Sequence, residues 1–377
     1  MRPTIAVINL SNLKKNFLNI RKKVGPAKIM AVVKANAYGH GVKEVVNALN
    51  SLGEKIPEYY AVAFCDEGIE IRKMKIKQPI LVFEPFEKNE AEEIFKYDLI
   101  PTVFEDRHLN IILNAKKKSG DKNNASKKIK VHIKVDTGMN RLGVRYQDSL
   151  NFIKRLSENE NFTIDGIYSH FATSDERNKE FANFQLKRFN NLLSDLKEHN
   201  INYGLAHAAN SGAILDLPES YFDMVRPGMI LYGYYPSTET TASFPIHPVM
   251  SLVSIVSSVK EIYQEETVGY GRIFTAKEKT KIASVPIGYA DGFNRNLSGK
   301  AKAILNGKIY SQVGRVSMDR ITFDVKLDDI KAGDKVILIG KDNGIEISAW
   351  DWCKELNTIP YEITCGISAR VPRIYKN

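Results

Sequence analysis

A lysine, an aspartate, a histidine, a serine and an arginine each follow an apolar run in this 377-residue chain. Lys34 follows Ile29-Met30-Ala31-Val32-Val33 and opens the stretch Lys34-Ala35-Asn36-Ala37-Tyr38-Gly39-His40-Gly41. A lysine leaving a buried strand is by default a charge entering solvent. An amine taken out of water loses its proton more readily and then suits imine formation. The small residues and glycines favour this second reading, because they let the chain turn sharply and approach a ligand closely. Gly39 and Gly41 add a weak phosphate-loop signal. Asp136 heads Thr137-Gly138-Met139-Asn140-Arg141, and His170, Asn210-Ser211 and Arg226-Pro227-Gly228 come later. Each alone fits a satisfied structural group. In register at one end of one architecture, they make a candidate site.

The elements that must position them are legible as alternating patterns. Short apolar runs occupy Lys28–Lys34, Tyr59–Phe64, Pro79–Phe83, Asp98–Phe104, Lys128–Asp136, Thr163–His170, Gly204–Ala208 and Tyr221–Arg226. Segments with room for helices lie between them, such as Gly41–Leu52, Asp66–Met74, Glu87–Phe95 and Glu176–His199. In the last, Phe181, Phe184, Phe189, Leu192, Leu193 and Leu196 recur at helical spacing. Strands alternating with helices imply parallel pairing. Eight such units predict an α/β fold with an N-terminal (β/α)8 barrel. An open doubly wound sheet is the alternative. In a barrel the residues above fall at the C-terminal ends of the strands, where barrel active sites lie.

After about residue 240 the pattern becomes short β runs: Val249–Ile262, Lys281–Ile287, Ala301–Asn306, Lys308–Val313, Ile321–Val325 and Lys335–Ile339. Asn306-Gly307, Ala332-Gly333-Asp334 and Asp342-Asn343-Gly344 separate some of them as turns. One helix is predicted over Ser348–Leu356, with Ser348 as its cap. The expected division is therefore a barrel over 1–240 and a C-terminal, mostly antiparallel β domain over 241–377. The first few residues may join the β domain, and Ser237–Phe244 is the junction.

Composition narrows the class. Hydrophobic content of 43% with 26% charged residues reads as a soluble globular protein. The net charge is +10, but the basic residues are dispersed. The densest runs, Lys116 to Lys118 and Lys127 to Lys130, flank a Gly/Asn/Ser loop. Nucleic-acid binding would gather basic residues on one face with aromatics among them, so no nucleic acid is expected. Cys65, Cys353 and Cys365 fit no zinc spacing and cannot all pair, so neither a metal nor a disulfide framework is expected. A reduced, cytoplasmic protein is the simplest reading. The N-terminus lacks a signal-like apolar stretch, and no run approaches a membrane span.

The stretch Val33 to Gly41 resembles the pyridoxal-phosphate (PLP) lysine signature of bacterial alanine racemases. The resemblance continues in Lys134 to Gly143, His170 to Asp175, Asn210-Ser211, Arg226-Pro227-Gly228 and Gly269-Tyr270-Gly271-Arg272. It extends through Ile287 to Gly292, Gly314 to Asp319 and Asn357 to Glu362, spanning nearly the whole chain in family order. It implies a PLP-binding barrel, a β domain and a head-to-tail homodimer that interconverts L- and D-alanine. A supply of D-alanine for peptidoglycan is the expected role. Racemisation requires a base on each face of the α-carbon. The resemblance makes Lys34 the cofactor anchor and the base for D-alanine. Tyr270, from the partner chain, is the base for L-alanine. A tyrosine base needs nearby cations, and the family places His170 and Arg226 there.

Arg226 discriminates among PLP chemistries. An arginine beside the pyridine nitrogen cannot realistically accept a proton from it, unlike the carboxylate of many PLP enzymes. Related barrel decarboxylases carry glutamate there. Tyr38, Ser211, Tyr361 and the backbone of Gly228 and Met229 match the phosphate-binding positions. Arg141 and Met318 match groups that meet the substrate carboxylate, and Asp319 helps hold the Met318 loop. Tyr289, Arg315, Asp175 and Ile359 match the substrate access path, and Arg295 is a further candidate for it. Lys134 matches a lysine that many members carry as a carbamate, which positions the arginine equivalent to Arg141. A salt bridge to Asp136 or a neighbour is the plainer reading of Lys134. Ser317 departs from the family, where cysteine is common, and keeps open a broad-specificity or serine racemase. A non-catalytic PLP carrier is disfavoured, since such proteins lack the β domain that holds Tyr270 and Met318.

Overall fold

The computed structural model describes residues 2–119 and 128–377. The Gly/Asn/Ser loop from residue 120 and Lys127 of the second basic run lie outside the described residues. Two compact units are formed. One comprises Leu13–Ala37 and Val42–His247. The other comprises Met1–Asn12, Tyr38–Gly41 and Pro248–Asn377.

In chain order the strands are β1 (Ile5–Asn9), β2 (Lys28–Val32), β3 (Tyr59–Val62), β4 (Ile80–Val82), β5 (Ile100–Val103), β6 (Ile129–Asp136) and β7 (Val144–Arg145). Then come β8 (Phe162–Tyr168), β9 (Leu205–His207) and β10 (Met224–Val225). The larger unit orders them β10-β2-β3-β4-β5-β6-β8-β9, all parallel, with β7 on β6. Strand β10 pairs with β2, so the sheet wraps round on itself. At the remaining seam, Asp223 and Arg226 donate backbone N–H groups to the carbonyls of Ala206 (3.1 Å) and Ala209 (2.9 Å). This is a nearly closed (β/α)8 barrel, and the open-sheet alternative is set aside. Strands β3, β4 and β5 are buried at every residue, as expected of parallel strands covered on both faces. The predicted helices form at Val42–Asn50, Cys65–Lys73, Lys88–Lys96 and Glu180–Glu198. The last buries Leu186, Phe189, Leu192, Leu193 and Leu196, whereas Phe181 and Phe184 of the predicted stripe are exposed.

The remaining strands are β11 (Met250–Ile255), β12 (Ser258–Ile262), β13 (Thr267–Val268), β14 (Phe274–Thr275), β15 (Thr280–Val285) and β16 (Lys302–Leu305). They continue with β17 (Lys308–Val313), β18 (Ile321–Lys326), β19 (Lys335–Asp342), β20 (Ile345–Ile347) and β21 (Arg373–Lys376). A sheet of order β12-β15-β18-β17-β16-β19-β11-β1-β21 forms here, with β20 on β19. Its pairs are antiparallel except β1 with β21. The first strand of the chain thus belongs to this sheet. Alternate inward residues such as Leu252, Ala283, Phe323, Val325, Val336 and Leu338 build its core. The helix Ala349–Leu356 forms as predicted. Ser348 sits at its cap but acts as donor: its N–H (2.7 Å) and hydroxyl (3.1 Å) both reach the Asp351 carboxylate. Among the described residues no helix is long and apolar enough to cross a membrane.

Candidate active site

The barrel's C-terminal end gathers the residues expected there. Strand β2 delivers Lys34, which is partly buried. The backbone then does something unusual: Ala35, Asn36, Ala37 and Tyr38 have φ of 52–54°, a turn of left-handed helix without glycine. Each such residue costs about 1–2 kcal/mol. Neighbours hold the turn in place. The Ala35 N–H donates to Glu67 Oε1 (2.6 Å), the Ala37 N–H to the Val33 carbonyl (2.9 Å), and Asn36 Oδ1 accepts from the Val42 N–H (2.8 Å). Glu67 also accepts from the N–H groups of Ala63 (2.7 Å) and Phe64 (3.1 Å), linking the ends of β2 and β3. Sequence reading passed over Glu67, because nothing local marks its target.

Strand β10 delivers Arg226, which is buried, at 3% exposed. Its Nη1 donates to His207 Nδ1 (2.8 Å) and the His207 carbonyl (2.9 Å). Its Nη2 reaches the carbonyls of Ser169 (2.6 Å) and Ala208 (3.1 Å) and His170 Nδ1 (3.2 Å). Its Nε–H has no acceptor among the described residues. Burial pulls the guanidinium down to about 10, which still leaves it charged at neutral pH. Burial, and then the charge of Arg226, push His170 well below its ordinary value. His170 is therefore neutral, and of the expected pair of cations only Arg226 carries charge. Because Nδ1 faces an arginine donor, the His170 hydrogen sits on Nε2.

Lys134 and Asp136 share a face of β6, two residues apart. Asp136 Oδ1 accepts from the N–H groups of Gly138 (2.9 Å) and Asn140 (3.1 Å), folding the loop that carries Arg141. Among the described residues Lys134 forms no ion pair with Asp136 or any other acid. It is 6% exposed, with Nζ 5.7 Å from the Tyr168 ring centroid. Burial first, then Arg141 and Arg226, bring it down to about 8.

Asn210 caps the helix Ser211–Asp216 by accepting from the Ala213 N–H (3.1 Å). The Ser211 hydroxyl accepts from the Gly228 N–H (3.1 Å), so these two expected phosphate contacts adjoin. Met229 follows, fully buried. The Val32 N–H donates to the Pro227 carbonyl (3.1 Å), tying the strand before Lys34 to this turn. Gln185 was missed from sequence. It is 1% exposed; its Oε1 accepts from the Ala172 N–H (2.8 Å), and its Nε2 donates to the His170 carbonyl (3.0 Å) and Thr137 Oγ1 (3.3 Å). It fastens the loops after β6 and β8 to each other. Asp175 lies in the second of these loops, where its carbonyl accepts from the Ser237 hydroxyl.

The β unit presents a separate group. Tyr270 stands on the turn between β13 and β14, flanked by Gly269 (φ 72°) and Gly271 (φ 69°). It is 74% exposed, so it is not a packed strand aromatic. A side chain at Gly271 would meet Arg315 Nε at 2.9 Å. Tyr289 and Ala290 donate N–H groups to the carbonyls of Ser317 (3.0 Å) and Met318 (3.1 Å). Tyr289, Met318 and Ile359 are exposed, as is Arg295. Asp319 is held by Arg370 (2.6 Å). The Ser317 hydroxyl donates to the Arg320 carbonyl (2.8 Å), so it is engaged within its own loop. Tyr38 and Tyr361 stack at a tilt, ring centroids 5.8 Å apart.

The barrel unit thus carries a lysine at its mouth and a buried arginine, and the second unit carries an exposed tyrosine turn. Family profiles agree: "Alanine racemase, N-terminal domain" matches residues 8–236, and "Alanine racemase, C-terminal domain" matches 249–375. The chain is 42% identical over 379 residues to the alanine racemase of Clostridium novyi, covering 100% of this chain and 96% of that protein. It is 41% identical to alanine racemase 2 of Caldanaerobacter subterraneus subsp. tengcongensis, covering 100% and 95%. The solved alanine racemase of Clostridium difficile 630 superposes with a TM-score of 0.92 at 37% identity, covering 99% of this chain and 96% of that one. A further solved structure of that protein is a complex with cycloserine. The chain belongs to the alanine racemase family, whose members are PLP-dependent isomerases. Its activity is the interconversion of L- and D-alanine.

Proposed function

We propose that Lys34 anchors PLP in the barrel mouth, and that the working enzyme is a homodimer in which Tyr270 of a second copy completes each site. The barrel function is assigned to about residues 1–240, less the first strand, which joins the β unit, and the partner-facing function to 241–377. The observation that carries the cofactor reading is Arg226. A buried arginine with both Nη groups engaged by protein, and Nε–H alone left over, fits a ring nitrogen that accepts a hydrogen bond without being protonated. Ser211 Oγ, the Met229 N–H and the hydroxyls of Tyr38 and Tyr361 suit a phosphate held without excess positive charge, with the Gly228 N–H, now on Ser211 Oγ, able to turn to it. PLP, when bound, spreads the negative charge left on the α-carbon once its proton is gone.

This chain's residues supply the rest. Lys34 Nζ takes or returns the α-proton on one face, acting on D-alanine. The Tyr270 oxygen does so on the other, acting on L-alanine. His170 is neutral with its hydrogen on Nε2, so it offers a donor to that oxygen, and the Arg226 charge behind it favours the ionised phenol. Arg141 and the Met318 backbone N–H orient the alanine carboxylate, with Asp319 steadying the Met318 loop. Tyr289, Arg315, Asp175 and Ile359, with Arg295, line the access path. Lys134, with its depressed basicity and no ion pair to an acid among the described residues, is set up to add carbon dioxide as the free amine, giving up a proton to solvent, and the resulting carbamate anion would steady Arg141. The reaction belongs in the cytoplasm, supplying D-alanine for peptidoglycan. An alanine racemisation assay on the purified protein, with an absorbance scan, tests this. Turnover and a cofactor band that both vanish in Lys34→Ala are expected. A band and turnover that survive that change would overturn the assignment.

A further inference from the structure

The interior of a (β/α)8 barrel is ordinarily filled by layers of branched apolar side chains. Here a polar column runs through it. Toward the N-terminal ends of the strands, Asp165 Oδ2 accepts from the Tyr59 hydroxyl (3.0 Å), and Oδ1 meets Lys130 Nζ at 3.1 Å. His132 Nε2 lies 3.4 Å from Asp165 Oδ2. This contact does not meet hydrogen-bond geometry, and His132 Nε2 has no other partner among the described residues, so Asp165 is the one acceptor within its reach. His132 Nδ1 is 2.9 Å from His207 Nε2, and His207 Nδ1 is 2.8 Å from Arg226 Nη1. Both imidazoles have no exposed surface. Tyr168 stacks on His207, centroids 4.9 Å apart and planes within 8°.

The backbone is shaped around this column. Pairing between β6 and β8 runs Val131 with Ile164 and then His132 with Gly166, so Asp165 is the extra residue of a bulge. Gly166 leaves room for the ring: a Cβ there would lie 2.5 Å from His132 Cε1. Buried polar groups are costly unless paired, so such a column calls for a reason.

Its direction follows from its two ends. A guanidinium can only donate, so His207 Nδ1 must be bare. A neutral imidazole has one N–H, which His207 then carries on Nε2 and donates to His132 Nδ1. The hydrogen of His132 is therefore on Nε2, aimed at Asp165. An ionised carboxylate can only accept, so the far end agrees. Burial keeps both rings neutral. Partial burial raises the Asp165 carboxyl, but contacts from His132 and Lys130 override it and hold it well below the usual range. With His132 neutral, Lys130 is the lasting charge. The two hydrogen bonds, and the contact from His132 Nε2 to the carboxylate, thus run donor to acceptor from Arg226 toward Asp165.

We propose that Asp165, acting through His132 and His207, is a positioning residue for Arg226. The carboxylate fixes the tautomers of both imidazoles, and they hold the guanidinium in the one orientation that leaves Nε–H for the cofactor. This rests on the reading that Arg226 faces PLP. An asparagine at this position keeps the shape but can donate as well as accept. A reversed column would then put a hydrogen on His207 Nδ1, against the Arg226 donor.

The test uses the cofactor-loaded enzyme labelled with ¹⁵N-histidine, as wild type, Asp165→Asn and Asp165→Glu. In wild type, His132 and His207 are expected neutral with hydrogen on Nε2. Asp165→Asn is expected to show the second tautomer at His207, a displaced cofactor absorption band and a kcat at least about tenfold lower, as when a tautomer-fixing carboxylate is lost from a catalytic histidine. Asp165→Glu, which restores the charge, is expected to recover the wild-type tautomers. Hydrogen on His207 Nδ1 in wild type overturns the proposal, even if neither variant folds. So does an Asp165→Asn enzyme with kcat within about twofold of wild type, or one that loses activity with wild-type tautomers. If the wild type shows no cofactor band and no racemisation, the functional reading has failed instead, and the tautomer pattern is unaffected.

Discussion

At Arg226, burial and charge oppose each other, and the charge survives because four of the five N–H donors meet protein acceptors. His170 is neutral through burial first and the Arg226 charge second, so in the proposed dimer it would serve the tyrosine only as a neutral donor. Tyr270→Phe should therefore lower racemisation in both directions by at least about 100-fold, since a general base contributes about 10²–10⁴. Both directions fall together because the enantiomers have equal free energy. Exchange of the α-proton of D-alanine with solvent, followed by NMR in D₂O, should persist through Lys34, and its loss would contradict separate bases. Lys134 makes a second prediction. Its pKa is depressed to about 8 in the folded chain, against about 10.4 unfolded. The unfolded state therefore binds more protons between about pH 8 and 10.4, and stability rises with pH across that window. Below it the penalty is complete, about 3 kcal/mol. Urea unfolding at pH 7.5 with added bicarbonate should recover part of this in wild type and none in Lys134→Gln. A bare ammonium at high occupancy under those conditions would refute carbamylation.

The elements hold the site through side chains that do no chemistry. Glu67 binds three backbone N–H groups around the start of the left-handed turn, and Gln185 ties the loops after β6 and β8. Gln185→Leu removes partners from the Ala172 N–H, the His170 carbonyl and the buried Thr137 hydroxyl. A loss of about 1–3 kcal/mol in urea unfolding is expected, the usual cost of unsatisfied buried groups. Because the loop bearing His170 loosens, kcat should fall as well. Unchanged stability and kcat would show that these bonds are dispensable. Strand positions were readable because a fully buried parallel strand must be apolar throughout, and β2 to β6 and β8 to β10 fall within or close to the runs predicted for them, whereas the two-residue β7 was not predicted. The left-handed turn was not readable. Ala35, Asn36 and Ala37 are not residues that choose φ near 52°, and distant contacts impose it.

For the whole molecule, the β unit exposes Tyr270, Ile273, Tyr289, Met318 and Ile359. Exposed apolar and aromatic groups of this kind suit the interface of the proposed dimer. If each active site takes Lys34 from one copy and Tyr270 from another, two inactive variants should complement. Lys34→Ala and Tyr270→Phe, unfolded and refolded together, should regain up to about a quarter of wild-type turnover, because half of randomly formed dimers are hybrids with one intact site. Sedimentation should show the dimer. A mixture no more active than its components would rule out shared sites.

The sequence by itself determined the barrel strands, the β unit and the order of the reactive residues, because periodicity and local motifs are written along the chain. Lys34, Asp136, His170, Ser211 and Arg226 could be placed at strand ends on that basis. Only tertiary structure decided their states. The neutrality of His170, the depressed basicity of Lys134, the spare Nε–H of Arg226 and the Asp165 column depend on groups far apart in sequence that burial brings within a few ångströms. Desolvation and Coulomb energies act through space, so they cannot be read until the fold has set those distances.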